Sequence, residues 1–236
     1  MPALARPCAF VHAALLWGLL AVATSPMARA EVAEWRLDPT HSRVVFDVEH
    51  MGFSYALATL STPTGRLRLD PEGWDGASVE VEIPMASLDF GDAEWNETMQ
   101  GRNWFDVERF PVARFVSERV EPIDEDEARV HGTLTVRDVS APVVLDVRRN
   151  AVKRNPLTFR RMIGFSATAT LDRRDFGLDR SANLIGQAVR VRLEVQAARG
   201  RARDDDAADA AAASDDGAAD DTPTPEENDD ADPQLR

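Results

Sequence analysis

Hydrophobic and polar residues alternate one by one over much of this chain. The clearest runs are residues 42–49, 78–83 and 187–197, and in the first of them every second residue from Val44 to Val48 is apolar. Side chains of a β-strand point alternately to its two faces, so this period of two predicts strands with one buried and one solvent-exposed face. Weaker runs of the same kind follow at Gly65–Leu69, Ala113–Val120, Arg129–Arg137, Val143–Arg149 and Met162–Leu171. Proline and glycine turn residues separate these runs, as expected between neighbouring strands.

One segment breaks the alternation. Between Asp92 and Asn103, Trp95 and Met99 are spaced as on one face of a helix, and Asp92 is of a type that caps a helix N-terminus. We therefore predict one short helix that ends near Trp104–Phe105, and about eight to ten strands, an all-β fold. An antiparallel sheet of this size closes into a barrel or doubles into a sandwich, because open edges favour aggregation. The pattern alone does not choose between barrel and sandwich.

The first thirty residues have the features of a secretory signal peptide. Arg6 precedes an apolar stretch from about Ala9 to Val22, and residues 28–30 (Ala-Arg-Ala) form a small-x-small cleavage site. The apolar stretch is shorter than the roughly 20 residues that a membrane-spanning helix needs. We predict export to the periplasm with cleavage after Ala30. The single cysteine, Cys8, would leave with the signal, so the exported protein is expected to form no disulfide.

The last part of the chain, residues 201–236, is acidic and nearly free of large apolar residues. It contains 13 acids against three arginines, a local charge of −10, and Leu235 is its only larger apolar residue. Such a composition cannot form a core, so we predict a disordered acidic tail. Residues 31–200 are predicted to form one domain with a charge of −6. A negative charge argues against nucleic acid as a partner, because that binding depends on Lys and Arg neutralising phosphates.

Four segments of the domain resemble the YceI family. They are W-R-L-D-P-T-H-S-R-V-V-F-D-V-E-H-M-G-F at residues 35–53, S-V-E-V-E-I-P-M-A-S-L-D-F at 78–90, N-W-F-D-V-E-R-F-P-V-A-R-F-V-S at 103–117 and G-F-S-A-T-A-T-L-D-R-R-D-F-G-L at 164–178. A further match, G-T-L-T-V-R-D-V-S-A-P-V-V-L-D-V, covers residues 132–147. The matches follow one another in the same order from about Trp35 to Val195, which is far more than a chance motif.

The resemblance implies a lipocalin-like closed antiparallel β-barrel of about eight strands with one short helix, exported in Gram-negative bacteria. Members of this kind bind polyisoprenoids, such as isoprenoid quinones or polyprenyl lipids, inside the barrel, and no catalytic machinery is generally attributed to them. The oligomeric state stays open, with a dimer as one option. The head group of the lipid also stays open, because Glu94–Glu97 and Leu60–Leu67 depart from the family's pattern near an expected barrel mouth.

Two histidines are the main candidates for chemistry. His41 and His50 lie at opposite ends of one predicted strand, about 30 Å apart if it is extended, so they cannot share a metal ion. We expect His41 and His50 to orient a turn or a lipid head group, and for His41 the turn is favoured. A Gly-x-Ser-x-Gly nucleophile motif is absent from the sequence. We accordingly expect no catalytic residue, no metal and no cofactor.

Large apolar side chains spread over the predicted sheet are the candidate ligand-binding residues. Each is also a candidate for ordinary core. The set is Phe46, Val48, Phe53, Trp104, Phe105, Phe110, Phe115, Phe165 and Phe176. An apolar interior suits a prenyl chain, because burial yields roughly 0.8 kcal/mol per CH₂ group.

Three functional hypotheses follow. The leading one is a periplasmic carrier that holds a long isoprenoid lipid and does not span the membrane. The second is an enzyme for a hydrophobic substrate, with His41, His50 or Asp47 as acid or base. The third is a stress-related barrel whose interior is filled by its own side chains and binds no ligand.

Overall fold

The computed structural model describes residues 32–200, and the predicted signal peptide and acidic tail lie outside this range. The strands are β1 (Ala33–Leu37), β2 (Arg43–His50), β3 (Ser54–Ser61), β4 (Thr64–Leu69), β5 (Ser78–Pro84), β6 (Val112–Pro122), β7 (Glu127–Val136), β8 (Val139–Arg154), β9 (Arg161–Asp172) and β10 (Ile185–Arg199). The helix α1 spans Ala93–Gln100, and two short 3-10 helices span Met85–Ser87 and Arg173–Phe176. No helix among residues 32–200 is long and apolar enough to cross a membrane.

The ten strands form one closed antiparallel sheet with eight positions around its circumference. The strand order is β1-β4-β5-β6-β7-β8-β9-β10, and β1 pairs back onto β10. β10 also pairs with β2 over residues 185–194, and β2 pairs with β3. β1 and β2 therefore follow one another along the same edge of β10, and β3 and β4 share the next position in the same way. The prediction of a closed antiparallel barrel of about eight strands with one short helix is confirmed.

Two local breaks divide these shared positions into pairs of strands. Between β1 and β2, the Asp38 amide donates a hydrogen bond to the Gln196 carbonyl at 2.8 Å, and the Gln196 amide donates to the Ser42 hydroxyl at 3.2 Å. Between β3 and β4, Thr62 has a positive φ of 52°. These breaks bend the two strands without releasing them from the barrel.

Alternation places every second residue of the long strands inside the barrel. Along β10 the apolar positions Val189, Val191, Leu193 and Val195 point inward, whereas Arg190 and Arg192 are exposed. Both arginines pair with surface carboxylates, Asp47 and Glu194 respectively. The sequence period of two is therefore the inside–outside division of the barrel wall.

The helix α1 lies over one end of the barrel. Its N-cap, Asp92, accepts a hydrogen bond from the Trp95 amide at 2.9 Å, as its position in the sequence predicts. The helix ends at Gln100, four to five residues before the predicted end near Trp104–Phe105, because Gly101 takes an extended backbone conformation with ψ 168°. None of its residues is buried, so the helix covers the end of the barrel without forming part of its core.

Candidate ligand-binding cavity

The barrel encloses a cavity of about 410 Å³ that is lined almost entirely by apolar side chains. This volume falls within the roughly 300–1,000 Å³ of ordinary small-molecule sites. Every strand contributes to the lining, although β1 contributes only Leu37. The inward faces of β5 and β10 are typical of the other strands. Alternating valines and leucines point inward because alternate residues of these strands face the interior. The interior of the barrel is thus an apolar cavity and is not completely filled by the protein's own side chains.

One end of the barrel, here called the closed end, is sealed by a tryptophan. Trp74 packs on Phe165 with ring centroids 6.1 Å apart, and both residues are buried. The Trp74 indole donates hydrogen bonds to the carbonyls of Asp124 and Glu125, each at 3.2 Å. Leu69 is also buried beside Trp74 and Phe165, in the same apolar cluster.

A buried arginine, Arg149, contacts Trp74 and the loops around it. Arg149 is only 7% exposed, and its guanidinium lies 5.7 Å from the centre of the Trp74 ring. It donates hydrogen bonds to the Pro71 carbonyl at 3.0 Å and the Glu125 carbonyl at 2.7 Å, and it pairs with Asp126 at 3.2 Å. The loops on both sides of Trp74 are therefore tied to one side chain of β8.

The opposite end, here called the open end, has partly exposed lining residues. A chain of aromatic contacts runs there from the interior to the surface. Phe46 meets Phe90 edge-on at 5.9 Å, and Phe90 stacks on Trp95 at 5.0 Å. Trp95 in turn packs against His50 at 5.8 Å. His50 and Trp95 are half-buried and line the cavity, so the cavity lining is partly exposed to solvent at this end.

A second buried arginine organises the open end. Arg173 is 5% exposed, lines the cavity and donates hydrogen bonds to the carbonyls of Leu178, Arg180, Ile185 and Gly186. Burial lowers the pKa of its guanidinium below the ordinary value. These bonds hold the segment between the second 3-10 helix and β10 against the barrel rim.

Seven of the nine apolar residues singled out from the sequence line the cavity. They are Phe46, Val48, Trp104, Phe105, Phe115, Phe165 and Phe176. Phe53 and Phe110 do not line it. Phe53 stands at the tip of the β2–β3 hairpin with 89% of its surface exposed. The centre of the Phe110 ring lies 4.9 Å from the guanidinium group of Arg109 and 5.8 Å from that of Arg137.

The structure adds lining residues that the sequence reasoning left out of the site. The most prominent are Trp74, Phe90, Trp95 and Met99. Trp95 and Met99 were assigned only to a helix, and Trp74 stands in a Gly- and Asp-rich loop where no periodic pattern gives a direction. Alternation in the sequence does identify another part of the lining, because the alternating valines of β10 point into the cavity.

The two histidines lie in different surroundings. His41 is in the β1–β2 break, exposed, with its Nδ1 atom 2.8 Å from Asp38 Oδ2. Partial burial raises the pKa of Asp38, but hydrogen bonds from His41 and Thr40 outweigh it and hold that pKa below its ordinary value. His50 lines the cavity at the open end. The turn-orienting or head-group-orienting roles of His41 and His50 stay predictions.

The residues proposed for acid–base chemistry are not assembled into one site. Asp47 points outward and pairs with Arg190 at 2.6 Å, while His41 and His50 occupy separate regions of the fold. Within residues 32–200, no group of three or more His, Cys, Asp or Glu side chains is arranged to hold a metal ion.

The sequence model of the YceI-like domain family matches residues 35–197 of this chain. The chain belongs to the YceI family. Among its relatives is a UPF0312 protein of Pseudomonas savastanoi pv. phaseolicola, 30% identical over 161 residues that cover 67% of this chain and 83% of the relative. A UPF0312 protein of Vibrio cholerae is 29% identical over 163 residues, which cover 68% of this chain and 85% of that one.

Several solved structures share the fold. Burkholderia cenocepacia BcnA superposes with a TM-score of 0.61 at 21% identity, covering 68% of this chain and 98% of BcnA. A Campylobacter jejuni YceI protein superposes with a TM-score of 0.59 at 24% identity, covering 65% and 90%. A polyisoprenoid binding domain from Saccharophagus degradans, implicated in plant cell wall breakdown, gives a TM-score of 0.52 at 18% identity, covering 72% and 100%.

Proposed function

We propose that this YceI-family protein is a periplasmic carrier that holds the chain of an isoprenoid lipid, such as a quinone or a polyprenyl lipid, inside its barrel. The observation that carries the proposal is the hollow interior, about 410 Å³ and almost wholly apolar, with one sealed and one open end. The structurally similar domain of Saccharophagus degradans is described as polyisoprenoid-binding, which supports the same class of cargo here. Export rests on the signal-peptide features of residues 1–30.

The physical chemistry of the cavity suits a long hydrocarbon chain. Each CH₂ group transferred from water into such a lining stabilises the complex by roughly 0.8 kcal/mol. A chain can therefore bind tightly without any ion pair. Its polar end would stay near His50 and Trp95, where the lining is partly exposed to solvent.

The arrangement of polar groups supports binding rather than catalysis. His41 pairs with Asp38 on the outside of the barrel, and Asp47 pairs with Arg190. Only His50, of the residues proposed as acid or base, lines the cavity. A ligand in the cavity would thus meet a largely apolar wall in which His50 and the buried Arg173 are polar groups.

The deciding experiment is mass spectrometry of an organic extract from protein purified natively from the periplasm. We expect an isoprenoid in about equal amount to the protein, and its mass would identify both chain and head group. An extract without lipid, together with no uptake of a prenyl quinone or a polyprenyl phosphate offered in vitro, would refute the carrier function.

A pair of neighbouring substitutions localises the bound lipid. Ala169 points into the cavity, whereas Thr168 beside it on β9 is exposed. Ala169→Phe should fill part of the cavity and strongly reduce the bound lipid, and Thr168→Phe should leave it unchanged. Equal lipid content in both variants would place the lipid outside the barrel.

A further inference from the structure

The tip of the β8–β9 hairpin, residues 153–161, combines basic charge with exposed apolar side chains. Its four basic residues are Lys153, Arg154, Arg160 and Arg161. At its apex Leu157 is 87% exposed and Phe159 is 73% exposed. Residues 147–171 contain no acid at all, although residues 31–200 together carry a charge of −6. This basic hairpin tip is thus positively charged, whereas the domain as a whole is negatively charged.

The charges of the basic hairpin tip are not neutralised within the barrel. Arg154 stands directly opposite Arg161 in the β8–β9 ladder, an arrangement in which like charges destabilise the pair. Arg154 donates a hydrogen bond to the Phe159 backbone carbonyl at 3.2 Å, and Arg160 donates one to the Arg199 backbone carbonyl at 3.5 Å. Among residues 32–200, no carboxylate forms an ion pair with any of the four bases. An external anion would relieve this repulsion.

The hairpin loop is built to hold its apolar residues outward. The Asn155 side chain accepts hydrogen bonds from the amides of Leu157 at 2.8 Å and Thr158 at 3.2 Å. The Phe159 amide donates to the Asn155 carbonyl at 2.8 Å, and Phe159 has a φ of 57°. A bulky residue in this left-handed region is uncommon and strained, and such strain concentrates at functional sites. The loop therefore presents Leu157 and Phe159 in a fixed geometry.

We propose that the basic hairpin tip docks on an anionic phospholipid surface. Lys and Arg next to such a surface each add roughly fivefold to binding, and apolar side chains that enter the headgroup region add to it. Charges more than about 10 Å away are screened at 0.1 M salt, so acidic residues that lie farther than that from the tip act weakly on a surface there. The acidic tail at residues 201–236 matches the charge but offers only Leu235 to Leu157 and Phe159. A lipid surface matches both features.

Docking here goes beyond cargo binding, since the tip lies at the closed end of the barrel. The Arg160 guanidinium donates to the Arg199 carbonyl at 3.5 Å, and Arg199 pairs with Trp35 in the β1–β10 ladder. None of residues 153–161 lines the cavity. The tip would tether the protein while the open end faces away from the lipid surface.

Vesicle flotation of the full exported chain tests the proposal. One set of vesicles contains phosphatidylcholine alone and the other contains equal parts of phosphatidylcholine and phosphatidylglycerol, neither with any isoprenoid. We expect the protein to float only with the anionic vesicles at low salt and to be released at high salt. Failure to float with either set overturns the proposal and leaves cargo binding unaffected, because no isoprenoid is present.

Matched variants localise the contact. The double variant Leu157→Ser with Phe159→Ser should reduce binding by roughly tenfold or more, and Arg154→Gln with Arg161→Gln by roughly twenty-fivefold. The control is Phe53→Ser at the open-end hairpin tip, which is 89% exposed but has no lysine or arginine between positions 44 and 65. All these sites are at the surface, and unchanged thermal unfolding verifies that the variants fold. Loss of binding in Phe53→Ser, or undiminished binding in both double variants, overturns the proposal.

Discussion

His50 and Trp95 pack against each other at the open end of the barrel, with ring centroids 5.8 Å apart. His50 is the last residue of β2, and Trp95 lies in the first turns of α1. Because α1 has no buried residue, it is joined to the barrel by partly buried contacts of this kind and by the hydrogen bond from the Gln100 side chain to the Leu88 carbonyl at 3.2 Å.

Weakening this contact should speed the exchange of a bound lipid. Trp95→Ala removes the packing on both His50 and Phe90, and an aromatic pair contributes about 0.5–1.5 kcal/mol. We expect the dissociation rate of a fluorescent prenyl lipid, followed by stopped flow, to rise by roughly threefold to tenfold. Leu157→Ala, at an exposed site on the closed end, is the control. Equal rates in the two variants would mean that the lipid does not pass α1.

Replacing Arg173 by lysine should loosen the rim of the open end. A lysine keeps the charge, but it cannot reproduce the planar guanidinium that donates to four carbonyls between Leu178 and Gly186. The carbonyls left without a donor are expected to lower the free energy of unfolding by about 2 kcal/mol or more. Hydrogen exchange should accelerate for residues 178–186 more than for β7. Uniform protection in Arg173→Lys would contradict the clamp.

Gly132 on β7 leaves room for the ring of Phe115 on β6. A Cβ atom at position 132 would lie 2.6 Å from Phe115 Cζ and 2.4 Å from the Val116 carbonyl oxygen, so backbone must move to admit it. Gly132→Ala should therefore destabilise the protein by about 1–3 kcal/mol in a denaturant titration. Gly164→Ala is the matched control, because the nearest atom there is 3.8 Å away. A similar loss of stability in both variants would refute the steric explanation.

The pH dependence of stability should report the ion pair of Asp172 with Arg174. Hydrogen bonds from the Arg174 side chain and amide lower the pKa of Asp172 from 3.8 to about 2. A carboxylate whose pKa is lowered on folding stabilises the protein above its unfolded pKa, and this stabilisation is lost as the pH falls through the folded pKa. The melting temperatures of wild type and Asp172→Asn should differ above pH 3.8 and converge by about pH 2. A difference that stays constant over this range would show that the pair does not act through ionisation.

The local sequence pattern was sufficient wherever a side chain's direction follows from its own strand. Alternation along β10 identified Val189 and Val191 as facing inward, and Asp92 identified the start of α1. The alternation pattern gives no direction for the Phe53 side chain, because this residue follows Gly52 in a turn where the alternation of β2 has ended. The pattern does not give the surroundings of Phe110 either, because Arg137, whose guanidinium lies 5.8 Å from the centre of the Phe110 ring, comes from a distant turn.

The sequence by itself determined the strands, their two faces, the capped helix and the family, because these depend on neighbours along the chain or on segments matched in order. Only the tertiary structure decided that the sheet closes and that its interior stays hollow. The free volume inside a barrel depends on strand tilt and on the summed size of side chains from eight positions, which no single strand encodes. The seal at Trp74 is non-local in the same way, since Phe165 and Arg149 come from β9 and β8.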